Sequence, residues 1–138
     1  MKEICDNVII MKSMAFAVRS VKLARFLRER YCEFDLASQI LKCGTSIGAN
    51  AREALRAQSR PDFHAKMSIA LREAEESNYW LELLFQVSYI SEQEYMSMNN
   101  DCVEICKLLM SIVKSTSKES KTKQQSHSNP HKDALIVK

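Results

Sequence analysis

The sequence predicts an all-α protein, an antiparallel up-down-up-down four-helix bundle, and two observations predict it. Its 138 residues include just two Gly and two Pro, which leaves few turn signals and argues for a few long helices over many short strands. Apolar residues also recur at three- and four-residue spacing over long stretches, the period of an amphipathic helix. The length suits one domain with a single core. Residues 1–114 are assigned to the bundle and 115–138 to a disordered basic tail.

Helix one is expected from about Val8 to Tyr31. Its stripe is read as Met11, Met14, Val18 and Val21, joined by Leu23, Phe26, Leu27 and Tyr31. Cys32-Glu33-Phe34 forms a short connector, and Asp35 is placed to cap helix two, which runs from about Leu36 to Gln58. Ser59-Arg60-Pro61-Asp62 is a restart signal. It offers a capping hydroxyl, a proline where the missing N–H costs nothing, and an acid that complements the helix dipole. Helix three then extends to about Tyr89. Ser91-Glu92-Gln93-Glu94 has the S-x-x-E form of a capping box and opens helix four. Tyr95, Met98, Cys102, Ile105, Leu109 and Ile112 form its apolar stripe, and it is expected to end near Lys114. From Ser115 to Pro130 the chain is rich in Ser, Thr, Lys and Gln without apolar period, too little to offset the entropy of ordering. Ala134 to Val137 is apolar but too short to form a core. Short connectors between long helices make neighbours antiparallel.

Both glycines, Gly44 and Gly48, fall inside helix two. Glycine in a helix interior costs about 1 kcal/mol relative to alanine, so a pair on one face implies a compensating close approach by a facing helix or a partner subunit. Helix three carries Tyr79, Trp80, Leu81, Leu83, Leu84, Phe85 and Val87. These cover roughly 240° of its surface, against about 100° for a single core stripe. That excess points to a second buried face and a homo-oligomer.

Charge is partitioned along the chain. Residues 1–60 carry 11 Lys+Arg against 6 Asp+Glu, residues 61–114 carry 4 against 9, and residues 115–138 carry 5 against 2. Such polarity suits contacts between subunits and also an anionic partner. Arg52, Arg56 and Arg60 recur every fourth residue, and Arg19 and Lys22 share a side of helix one. These five are the candidate nucleic-acid contacts. Gly44, Gly48, Asn50, Tyr79 and Trp80 are the candidates for helix packing or oligomer contact.

Catalytic chemistry finds no support. No Glu-x-x-His pair exists for a di-iron bundle, and there is no Gly-rich phosphate loop. His127 and His131 stand alone in the tail, and five scattered cysteines without a C-x-x-C pair argue against a disulfide framework or a zinc site. Cys102 and Cys106 read as inert core. Glu73, Glu75, Glu76 and Glu82 read as acidic faces engaged in ordinary ion pairs. No apolar run approaches the ~20 residues of a membrane span. The expectation is a soluble, cytoplasmic protein with no catalytic residue, no metal and no cofactor.

The run Gln39-Ile40-Leu41, Gly44-Thr45-Ser46-Ile47-Gly48-Ala49-Asn50 and Glu53-Ala54 precedes Ser68-Ile69-Ala70-Leu71, Glu73-Ala74 and Tyr79-Trp80-Leu81-Glu82-Leu83-Leu84. Together they resemble the bacterial four-helix bundle proteins named for reading frames in the intervening sequence of large-subunit ribosomal RNA genes. The resemblance spans about residues 8–114. It implies a ring-like pentamer, and kinship with the accessory protein of diversity-generating retroelements, a basic pentamer that binds nucleic acid and a reverse transcriptase. Arg52 stands where members of that family commonly carry Ile or Val. Two functions follow as expectations. One is a non-enzymatic, ring-forming bundle that binds RNA or DNA. The other is a protein-interaction scaffold without nucleic-acid binding.

Overall fold

The computed structural model describes residues 2–125, with side chains over 7–117. Four helices follow in order: α1 (Lys2–Tyr31), α2 (Asp35–Leu55), α3 (Arg60–Gln86) and α4 (Glu92–Gln125). Consecutive helices pack side by side and α4 returns to α1 more loosely, while α1 and α3 lie diagonally with no close approach of their backbones. The result is the expected antiparallel bundle, with no strand among the described residues.

The core face of α1 is Ile9, Ser13, Phe16, Ser20, Ala24 and Leu27, all buried. This corrects the sequence reading, which took Met11, Met14, Val18 and Val21 as the inward stripe. Those four point outward, with 72%, 46%, 46% and 38% of their surface exposed. The period was right but the phase was not, because the inward face contains two serines. Their hydroxyls are satisfied within the helix: Ser13 Oγ donates to the Ile10 carbonyl (3.2 Å) and Ser20 Oγ to that of Phe16 (2.9 Å). A serine bonded to its own backbone is small and nearly nonpolar towards its neighbours, so it can be buried at little cost.

Small residues on α1 meet the glycines of α2. A Cβ added at Gly44 would overlap the Ser20 hydroxyl and stand 2.6 Å from its Cβ; one at Gly48 would lie 3.1 Å from Ser13 Oγ. Hydrophobic contact seals the rest of the interior. Phe16, Ile40, Ile47, Met67, Leu81, Leu84, Ile105 and Leu109 are fully buried, each contributing roughly 1.5–3 kcal/mol by leaving water.

The connectors show what ends each helix. Ser59 Oγ accepts from the Asp62 N–H (3.2 Å). Ser91 and Glu94 exchange bonds as the capping box requires, Glu94 N–H to Ser91 Oγ at 3.1 Å and Ser91 N–H to Glu94 Oε1 at 3.3 Å. Asp35, however, is not a cap. Phe34 holds the N-cap position without a side-chain bond, and Glu33 Oε1 takes the Leu36 N–H instead (3.1 Å). Helix α3 stops at Gln86, short of the expected Tyr89, because Ser88 turns left-handed at φ 65° and lets Tyr89 N–H bond back to the Leu84 carbonyl (3.0 Å).

Helix α4 does not end near Lys114; it continues to Gln125. No Gly or Pro interrupts this stretch, and its Ser, Thr, Lys and Gln residues tolerate helix. Tertiary contact supports the extension as well. Thr116 is 7% exposed, and its hydroxyl is directed to the Ile112 and Val113 carbonyls (3.1 and 3.0 Å). The same hydroxyl shares a hydrogen bond with His64 Nδ1, 2.6 Å away at the start of α3. The rest of the expected tail, residues 126–138 with His127, His131 and the Ala134–Val137 run, lies outside the described residues.

Candidate functional site

Arg52 is in the last turn of α2, Arg56 is its C-cap and Arg60 opens α3, so the three arginines gather at one corner of the bundle. All three are exposed. The electronegative carbonyl end of α2 favours cations at this place. The nearest acid on α2, Glu53, is engaged by Lys66 at 2.8 Å. Among the described residues neither Arg52 nor Arg56 makes an ion pair or a side-chain hydrogen bond. Arg52 also borders a groove of about 310 Å³ between α1 and α2, floored by Ser13 and Gly48 and walled by Ile10 and Met14.

Arg19 and Lys22 belong to a different surface. Both line a cleft of about 490 Å³ between α1 and the start of α4, with an apolar floor of Leu23, Phe26, Ile90 and Met98. Arg19 is occupied there: it pairs with Asp101 at 2.6 Å and donates to the Ser97 carbonyl (3.4 Å) and Oγ (3.0 Å). Lys22 is exposed without a carboxylate partner among the described residues. The five basic candidates are thus two groups, Arg19 and Lys22 on the α4 side of α1 and the three arginines around the end of α2.

The packing candidates divide similarly. Gly44 and Gly48 face α1 of their own chain. Asn50 donates from Nδ2 to the Ser46 carbonyl, 2.8 Å away in the same helix. Tyr79 is 59% exposed and meets the half-buried Trp80 edge-on, with ring centroids 5.0 Å apart. Leu81 and Leu84 are buried, Trp80 and Phe85 pack against the core's edge, and Val87 is exposed. Of the wide apolar arc of α3, Leu81, Leu84, Trp80 and Phe85 serve the chain's own core, while Leu83 is half-buried outside that cluster and Tyr79 and Val87 are exposed.

Two of the thiols are held protonated, whereas Cys106 is half-buried and its pKa is lowered by the hydrogen bond with Cys102. Cys102 Sγ donates to the Ala74 carbonyl (3.2 Å), and its pKa is pushed up by the Cys106 hydrogen bond and by burial. Burial likewise raises Cys43. A thiol held protonated is a poor nucleophile. Glu73 is raised by partial burial and then by Glu76 beside it. Among the described residues no three His, Cys, Asp or Glu side chains converge to hold a metal ion. No helix among them is long and apolar enough to cross a membrane.

The outward apolar stripe of α1 was missed as a surface. Its signal was present in the sequence, since two apolar sets of helical period coexist in α1, one through Ile9, Phe16, Ala24 and Leu27 and one through Met11, Met14, Val18 and Val21.

Comparison with known proteins places this architecture. A crystal structure of a protein of unknown function from the S23 ribosomal protein family of Bacteroides thetaiotaomicron is 56% identical, with a TM-score of 0.78. The match covers 80% of this chain and 98% of that one. No curated protein matches. The sequence model for the "23S rRNA-intervening sequence protein" family matches residues 5–111, and the chain belongs to that family.

Proposed function

We propose that this protein is a non-enzymatic, ring-forming bundle of the cytoplasm that binds RNA or DNA through the corner formed by Arg52, Arg56 and Arg60. The observation that carries this reading is the pair Arg52 and Arg56, exposed at the end of α2 with no carboxylate partner among the described residues. Cations held this way are ready to meet phosphates, whereas Arg19 would first have to leave Asp101. Two or three phosphate contacts per subunit are weak alone. Repetition around a ring of five subunits, the assembly that the family resemblance implies, would sum them into useful affinity. Lys22 serves as an outlying contact in this scheme.

The test is retention on a mixed RNA and DNA pool at low salt. Arg52→Glu with Arg56→Glu should abolish retention and leave the particle mass unchanged. Retention equal to wild type would refute the assignment of this corner. A protein-interaction scaffold is the second reading, and the uncovered apolar stripe of α1 favours it. Under that reading the wild-type protein would retain no nucleic acid at any salt.

A further inference from the structure

Cys102 and Cys106 are four residues apart on α4, so their side chains are neighbours on one face of the helix. Cys102 is fully buried, and its Sγ donates to the Ala74 carbonyl of α3 at 3.2 Å. Cys106 is half-buried and packs against the edge of the core. The two thiols are hydrogen-bonded to each other, and the exposed Glu75 of α3 acts on Cys106 through its charge. One sulfur is therefore in the interior, the other is within reach of solvent, and a carboxylate stands beside the outer one.

Spacing decides what such a pair can do. Side chains four apart on a helix have Cβ atoms about 5–6 Å apart, whereas a disulfide needs about 3.5–4.5 Å. Closing an S–S bond would distort α4, which is continuous through both cysteines. A single atom between the two sulfurs spans the gap and leaves the backbone in place. Zinc and iron–sulfur clusters ask for four protein ligands, and among the described residues no three His, Cys, Asp or Glu side chains converge. Cys43, the other buried thiol among them, is engaged with Ser77. Hard cations such as magnesium and calcium need several oxygens. The donor set suits a soft cation satisfied by two thiolates.

We propose that Cys102 and Cys106 bind one soft monovalent cation of the copper(I) class, held between their two sulfurs. Binding is redox-neutral: two metal–sulfur bonds form, each thiol loses its proton, and both protons leave to solvent. Cys106 ligates first, because it is the accessible sulfur and the Cys102 hydrogen bond already favours its thiolate. Cys102 follows by releasing the Ala74 carbonyl and turning its sulfur to the cation. Glu75 draws the cation towards the outer sulfur. The site stands apart from the arginine corner and is independent of nucleic-acid binding.

Anaerobic titration of the full chain with copper(I), in competition with the coloured chelator bicinchoninate, tests this. The wild type should withdraw one copper(I) per chain. Cys106→Ser changes a half-buried position, so circular dichroism should show unchanged helix content. Its affinity should fall by more than the roughly 10–100-fold that loss of a mere outer-shell partner costs, and Cys102→Ala should lose as much. Cys32→Ser and Cys43→Ala should bind as the wild type does. X-ray absorption of the loaded protein should show two sulfur neighbours around the copper. Four results would overturn the proposal: no withdrawal by the wild type; undiminished affinity in Cys106→Ser; a loss in Cys32→Ser or Cys43→Ala, which would assign the copper to a different thiol; or a third ligand in the absorption spectrum.

Discussion

Gly44 lies so close beneath Ser20 that any side chain at 44 would have to displace it: an added Cβ would stand 2.6 Å from Ser20 Cβ. The two residues set the spacing of α1 and α2 where both helices are buried. Gly44→Ala is predicted to destabilise the protein by about 1–3 kcal/mol despite alanine's better helix propensity, since overpacking outweighs it. Gly48→Ala, where the nearest atom is Ser13 Oγ at 3.1 Å, should cost less. Urea unfolding of the two variants checks both the sign and the order.

The α4 extension is anchored by Thr116 against His64, 2.6 Å apart. Thr116→Val keeps the shape but removes the hydroxyl that bonds His64, and should lower stability by about 1 kcal/mol. Ending the chain after Lys114 should cost at least as much. Equal melting temperatures for the full and shortened chains would show that the contact contributes nothing.

Ser88 adopts φ 65° to close α3, a conformation that a side chain disfavours and glycine accepts. Ser88→Gly is accordingly expected to stabilise by roughly 0.5–1 kcal/mol, read from the shift in denaturation midpoint.

Glu73 gives a pH signature. Its folded pKa is raised above the ordinary 4.5 by partial burial and by Glu76. Just above that ordinary value the folded state holds more protons than the unfolded chain, so this group's contribution weakens stability as pH rises. Glu73→Gln should stabilise the protein at pH 7, with the advantage shrinking as pH falls through the raised pKa towards the ordinary value. The effect is small because the carboxyl is largely solvated. An advantage that grows on acidification would reverse the sign.

The parts of the fold that were legible in sequence are those fixed locally. Ser59 and the Ser91–Glu94 box mark helix starts because capping needs just a hydroxyl three residues from a free N–H. The close approach at the glycines was readable as a need, but not its partner, which is two serines some thirty residues earlier. Those same serines hid the core face of α1, since Ser13 and Ser20 read as polar until their bonds to the Ile10 and Phe16 carbonyls are seen. The arginine corner was legible from its four-residue spacing. The separation of Arg19 from it was not, because Arg19 is claimed by Asp101 from the last helix. Likewise α4 runs on past Lys114, where Thr116 meets His64 from far away in sequence, and composition alone suggested an earlier stop.

The most direct test of nucleic-acid binding by a self-associated bundle is solution mass by light scattering, with and without a mixed RNA and DNA pool, at low and at moderate salt. The account predicts an oligomer that gains nucleic-acid mass at low salt and loses it as salt rises. An oligomer whose mass stays the same with the pool at both salts would contradict it.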